Sequence, residues 1–202
     1  MTNQEILMIA MAQSAKDLCA DAGDFEKKEN VIVISRASDD ARKYLKLPFS
    51  CQLVSYGNNV VASVSDEFRD ITECYINKYP AEHLFETPNL HILNDALMTK
   101  GQKICFMAEY FLPDMNALRA LDCSYELRVL TQKDFADLYL PEWSNALCEG
   151  RKHLDVLGVG AYGGDKLVGL AGCSADCNTM WQIGVDVLSK YRQQGVASAL
   201  TS

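Results

Sequence analysis

The feature that most constrains this chain is an apolar stretch that runs directly into a basic, glycine-containing turn and then into a helical pattern. Residues 182–188 alternate with the period of a strand, whereas residues 196–200 place apolar side chains at helical spacing. The segment 189–195 between them must therefore be a turn. It contains both a fixed positive charge, Arg192, and a glycine, Gly195.

A turn of this composition is suited to holding a phosphate group. The first N–H groups of a helix have no partner inside the helix, and the helix dipole places partial positive charge beside them. Gly195 allows an anion to approach the backbone without meeting a side chain, and Arg192 adds a full positive charge. We therefore predict a pyrophosphate or phosphate site at this turn.

The spacing Arg192-x-x-Gly195-x-Ala197, preceded by a strand, resembles motif A of the GNAT N-acetyltransferase superfamily, whose pattern is Arg/Gln-x-x-Gly-x-Gly/Ala. In that family the turn grips the pyrophosphate of acetyl-CoA. Two further predicted strands, 156–162 and 166–173, precede the motif and are joined by a glycine-rich hairpin. This order of elements is similar to that of the family. An ordinary strand-to-helix turn with an incidental arginine remains the alternative.

The resemblance implies acetyl-CoA as cosubstrate and direct transfer of its acetyl group to a primary amine. The backbone N–H of Val187 matches the position of the family's carbonyl-polarising donor, so Val187 is the implied catalytic position. The implied acetyl-CoA-binding positions surround it on the motif strand and turn: Val185, Asp186, Val187, Arg192, Gln193, Gln194, Gly195, Val196, Ala197 and Ser198.

The chain also departs from the family pattern. Trp181 stands near the position where several members carry a glutamate that acts as general base. Glu109, Glu142 and Asp176 are acidic substitutes, although solvated surface carboxylates are the commoner situation. The sequence ends at Ser202, inside the motif helix and before the elements that complete the family's core. We therefore expect a partial core, which leaves open that the chain is an inactive fragment.

The predicted fold class is α/β (α+β), with two parts. Residues 1–113 form an α/β companion domain without a recognisable motif, and residues 125–202 form a partial GNAT-like mixed sheet with flanking helices. In the first part the patterns predict helices at 3–21, 39–47, 65–79 and 89–99, and strands at 31–34, 51–56, 60–64 and 103–112. In the second they predict a strand at 125–130 and helical segments at 131–139 and 141–150.

Composition excludes several other classes. A net charge of −8 argues against a nucleic-acid partner, which usually requires a basic face. No stretch is apolar and long enough to span a bilayer, and the first residues lack a signal peptide's basic region, so we expect a cytoplasmic protein without a membrane partner. The eight cysteines are scattered, which predicts free thiols. Cys173 and Cys177 lack the further ligands of a zinc site, so no metal is expected.

Two functions from different classes follow. The first is an N-acetyltransferase that acts on a small-molecule or peptide amine. The second is a non-catalytic acyl-CoA-binding or protein-interaction module that has kept the pyrophosphate turn. An unpaired edge on strand 182–188 would favour association into a homo-oligomer.

Overall fold

The computed structural model describes all 202 residues and contains two compact units, Met1–Pro113 and Asp114–Ser202. Four α-helices, several short 3-10 turns and two sheets make up the chain. The predicted mixed class of helices and strands is therefore confirmed.

The first unit is a small mixed sheet with helices on both faces. Its β3 strand lies in the centre, parallel to β1 and antiparallel to β2. The elements in chain order are α1 (Asn3–Leu18), β1 (Val31–Ile34), β2 (Cys51–Ser55), β3 (Val60–Val64), α2 (Arg69–Ile76) and α3 (Thr87–Met98).

Strand β3 is fully buried because it contributes side chains to two cores. Val60, Ala62 and Val64 pack against α2 and α3 on one face of the sheet. Val61 packs against α1 and Phe25 on the other. A strand covered on both faces reads as a continuous apolar run, as residues 60–64 do.

Two predicted elements of this unit are wrong. Residues 39–47 form turns rather than a helix, because the buried carboxylate of Asp17 accepts hydrogen bonds from both the backbone N–H and the Nε of Arg42. Residues 103–112 form no strand, and Phe106 and Phe111 in this segment are exposed.

The predicted helix 65–79 is shorter in the structure. A 3-10 turn precedes α2, and α2 ends at Ile76. Tyr75 of this helix is buried in the core, whereas Cys74 is exposed.

The second unit is a four-stranded sheet in the order β4-β5-β6-β7, followed by a short helix. Its elements are β4 (Glu126–Thr131), β5 (Asp155–Gly163), β6 (Lys166–Ser174), β7 (Gln182–Val187) and α4 (Val196–Leu200). All three strand pairings are antiparallel. The helical segments predicted at 131–139 and 141–150 are 3-10 turns, the first opened by a Thr131–Asp134 capping box.

The two faces of this sheet are covered differently. Val196 and Leu200 of α4 pack on one face, against Val185, Val187 and their neighbours. On the other face, a cross-strand row of glycines consists of Gly158, Gly172 and Gly184. Gly172 and Gly184 allow the segment 143–147 to approach the sheet backbone closely, whereas Gly158 faces the ring of Phe135.

Candidate functional site

One edge of β7 is unpaired in the second unit. The N–H of Leu188 donates to the carbonyl of Val168 at 3.0 Å, which fixes the direction in which the backbone groups of this strand point. Because these groups alternate along a strand, the N–H and C=O groups of Val185 and Val187 point away from β6. The sequence-predicted donor, the N–H of Val187, therefore faces the open edge.

Arg192 ties the turn to this edge. Its Nε donates to the carbonyl oxygen of Val187 at 3.0 Å, while the side chain remains exposed. No carboxylate pairs with the guanidinium, so its terminal N–H groups are available to an anion beside the N–H of Val187.

The turn has alternating backbone handedness. Gln193 has φ of 61° and Gly195 has φ of 78°, whereas Gln194 between them has a negative φ. Left- and right-handed residues also alternate in anion-binding nests, where successive N–H groups point into one concavity, and we therefore refer to residues 193–195 as the nest. A side chain at Gly195 would meet no atom within 4 Å, so the glycine backbone faces open space.

The residues that follow the turn differ in how exposed their side chains are. Ala197 and Ser198 are exposed, whereas the side chain of Val196 is buried in the core beneath α4. Val196 can therefore contribute only its backbone N–H to a ligand. N–H groups in the first turn of a helix have no partner inside the helix.

A tyrosine that the sequence analysis did not assign to the site anchors the turn. The hydroxyl of Tyr125 donates to Oε1 of Gln194 at 2.7 Å, and Nε2 of Gln194 donates to the carbonyl of Lys190 at 3.2 Å. The ring of Tyr125 also packs edge-on against Tyr191, with centroids 5.8 Å apart. The side chain of Gln194 therefore holds the turn in shape and is not available to a ligand.

Asp186, one of the acetyl-CoA-binding positions implied by the sequence, has a structural role. Its backbone pairs with β6, and its side chain points to the face opposite α4. There the carboxylate accepts hydrogen bonds from the N–H of Asn145 at 2.8 Å, the Nδ2 of Asn145 at 2.7 Å and the N–H of Ala146 at 2.9 Å. These three bonds clamp the segment 143–147 onto the sheet, so Asp186 does not face the turn.

A cavity of about 120 Å³ lies on this same face, along the first half of β7. Gly172 and Gly184 contribute to its lining, and mainly polar side chains surround it. The polar residues are Ser144, Asn145, Cys148, Arg151, Ser174 and Gln182. No carboxylate side chain is among them.

Two buried carboxylates support the polar side of this cavity. Asp155 is fully buried and accepts hydrogen bonds from Ser174, from the N–H of Cys148 and from Tyr139. Burial, followed by the nearby charge of Asp155, raises the pKa of Tyr139 to about 12, so its hydroxyl stays protonated. Asp176 is also buried and forms an ion pair with Arg151.

The acidic candidates for a general base differ in burial and in hydrogen-bond partners. Asp176 is held by Arg151, although its Oδ2 has no hydrogen-bond partner. Glu142 and Glu109 are exposed. Trp181 is also half exposed, just before β7. Neither Asp176 nor Glu142 lines the cavity beside β7.

The charge around the turn favours an anion. Residues 189–202 contain Lys190 and Arg192 and no acidic side chain, in a chain whose net charge is −8. This local excess of positive charge coincides with the nest and with the open edge of β7.

Comparison with protein-family models, curated proteins and solved structures found no match to this chain. None of its helices combines the length and apolar character that crossing a membrane requires. All eight cysteines are free thiols, and no three His, Cys, Asp or Glu side chains cluster as metal ligands.

Proposed function

We propose that this protein binds acetyl-CoA at the turn after β7 and transfers its acetyl group to a primary amine. The observation that carries the proposal is the link between Arg192 and Val187. It places an unpaired guanidinium and an anion-binding nest beside an outward-facing N–H group on an open strand edge. Acyl-CoA has matching groups, namely a pyrophosphate, extended amides and a thioester carbonyl.

Each part of the coenzyme has a counterpart in this arrangement. The pyrophosphate would accept hydrogen bonds from the N–H groups of the Gln193–Gly195 nest and from Arg192. The pantetheine arm, which joins the pyrophosphate to the thioester, would run from the turn toward Val187 at the open edge of β7. The carbonyl of Val187 already accepts a hydrogen bond from Arg192. The N–H group of Val187 is therefore the one left for the thioester.

The chemistry is direct transfer. The amine nitrogen attacks the thioester carbon, the carbonyl oxygen gains negative charge, and the carbon–sulfur bond then breaks to release the CoA thiolate. The proton lost by the amine balances the thiolate. The N–H of Val187 would donate to the developing oxyanion, and the held geometry would supply the proximity.

The cavity beside Gln182 and Gly184 is the proposed entry for the acceptor. It lies against the same strand as Val187, on the face opposite α4. A volume of about 120 Å³ admits only a small polar group, such as the amine end of a small molecule or peptide. Because no carboxylate lines the cavity, we propose that the acceptor reacts as the neutral amine.

A non-catalytic acyl-CoA-binding module is the second candidate. The specific observation in its favour is that Trp181 and the cavity lining supply no general base, although the turn keeps its anion-binding geometry. Such a module would bind acetyl-CoA without releasing the free thiol.

A cytoplasmic location fits both candidates. Eight free cysteines are typical of a reducing compartment. The open edge of β7 would also support pairing with a second copy of the chain.

The test combines a binding measurement with a reaction assay. Calorimetry with acetyl-CoA reports binding, and a free-thiol assay with a panel of small amines and short peptides reports transfer. Binding with amine-dependent thiol release supports the enzyme, and binding without release supports the module. The absence of acetyl-CoA binding would contradict both.

A further inference from the structure

A second cavity in the Asp114–Ser202 unit lies between the segment 117–121 and the outward face of α4. It is a shallow, mostly open depression with a volume of about 360 Å³. Leu118 and Leu121 provide an apolar side, and Arg119, Ser198 and Thr201 provide a polar side.

The segment that carries Arg119 is held by backbone hydrogen bonds. The carbonyl of Asp114 accepts from the N–H groups of Ala117 at 3.0 Å and Leu118 at 2.8 Å, which closes a turn before Arg119. After it, the N–H of Leu121 donates to Oγ of Ser202 at 2.9 Å. Arg119 therefore projects from a segment that is fixed on both sides.

The guanidinium of Arg119 has no carboxylate partner. It is exposed and makes no ion pair or hydrogen bond in the structure, while the hydroxyl of Ser198 lines the same cavity. An unpaired guanidinium near hydroxyl groups favours a phosphate, and the adjoining leucines favour a flat ring. A nucleotide that carries a phosphate monoester has both features.

This cavity continues from the proposed pyrophosphate turn. Ser198 follows Gly195 by three residues, a rise of about 4.5 Å along a helix. A ligand held at the turn by its pyrophosphate would thus place its nucleotide end near the segment 117–121. We infer that Arg119 binds the 3′-phosphate of the coenzyme's ribose and selects CoA over its 3′-dephospho form, an inference that rests on the proposed function.

The experiment is a calorimetric titration of CoA and 3′-dephospho-CoA into the parent protein, Arg119→Gln and Arg36→Gln. Arg36 is an exposed arginine of the first unit, so its variant has the same change in net charge without altering the cavity. We expect Arg119→Gln to weaken CoA binding about fivefold at low salt, as for an exposed ion pair. It should leave 3′-dephospho-CoA binding unchanged, and Arg36→Gln should affect neither.

The outcomes separate this inference from the proposed function. Equal effects of Arg119→Gln on the two ligands, or no effect on either, would overturn the role of Arg119 while CoA binding by the parent stands. No binding of either ligand by the parent would overturn both. A preference for CoA that shrinks as salt rises and disappears in Arg119→Gln would support the inference.

Discussion

Arg192 donates from Nε to the carbonyl oxygen of Val187 at 3.0 Å, and this bond joins the basic turn to the strand that precedes it. The bond orients the remaining guanidinium N–H groups beside the outward-facing N–H of Val187. One side chain thus both fixes the edge of β7 and presents positive charge to a ligand.

Replacing Arg192 tests whether its positive charge binds the ligand. We expect Arg192→Gln to weaken acetyl-CoA binding about tenfold, because a charge-assisted contact to the pyrophosphate is lost. The side chain is exposed, so thermal unfolding should change little. Calorimetry checks the affinity, and Arg36→Gln controls for net charge. Unchanged affinity in Arg192→Gln would place the pyrophosphate elsewhere.

The clamp formed by Asp186 gives a stability prediction. Asp186→Ala leaves the N–H groups of Asn145 and Ala146 without their acceptor, which should cost about 1–3 kcal/mol in the free energy of unfolding. Urea unfolding of the second unit followed by the fluorescence of Trp143 and Trp181 measures this cost. Asp137→Ala, at an exposed aspartate, is the matched control. Equal stability of the two variants would show that the clamp contributes nothing.

The glycine row predicts where a single methyl group is not tolerated. A Cβ at Gly184 would overlap the carbonyl of Asn145, so Gly184→Ala must displace the segment 143–147 and should destabilise the unit by about 1–3 kcal/mol. Gly150→Ala is the control, because a Cβ there meets no atom within 4 Å. The same unfolding measurement compares them, and a neutral Gly184→Ala would contradict the close packing described for this face.

Asp24 gives a prediction for pH dependence in the first unit. Burial raises the pKa of its carboxyl, but hydrogen bonds from Lys27 and from the N–H of Asp21 outweigh burial and lower it. A lowered folded-state pKa contributes stability that is present above the unfolded pKa of about 4 and is lost as pH falls through the folded value. Asp24→Asn should therefore be less stable than the parent at neutral pH, with the difference shrinking in acid.

Urea unfolding followed by circular dichroism at several pH values measures that difference. Asp39→Asn, at an exposed aspartate without an ion pair, is the control and should show a smaller difference at neutral pH. A gap between parent and Asp24→Asn that grows as the pH falls would contradict the assignment.

Elements with strong local patterns could be predicted from the sequence. The central strand 60–64 and the hairpin around Gly164 both appear as expected, because apolar runs and glycine-rich turns determine them locally. The segments 39–47 and 103–112 could not be predicted. The first is shaped by Asp17, a residue distant in sequence, and the second has a strand-like apolar pattern but forms no strand in the structure.

Some features of the candidate site could likewise be predicted from the sequence, and others could not. The positive φ at Gly195 follows from its residue type and position, but the positive φ at Gln193 does not. The roles of Tyr125 and Asp186 depend on hydrogen bonds to Gln194 and Asn145, which are far away in the sequence. No local pattern carries such information, so these two residues required the structure.

The central claim is that the turn from Arg192 to Ser198 binds the pyrophosphate of acetyl-CoA, and Gly195→Glu tests it most directly. The substitution places a carboxylate where the backbone faces open space, so repulsion and steric blockage should abolish binding. Gly101→Glu is the matched control, since Gly101 also has a positive φ (73°, against 78° at Gly195) and a Cβ there would likewise meet no atom within 4 Å. In calorimetry with acetyl-CoA, we predict binding by the parent and by Gly101→Glu and none by a folded Gly195→Glu; binding by Gly195→Glu as tight as by the parent would contradict the claim.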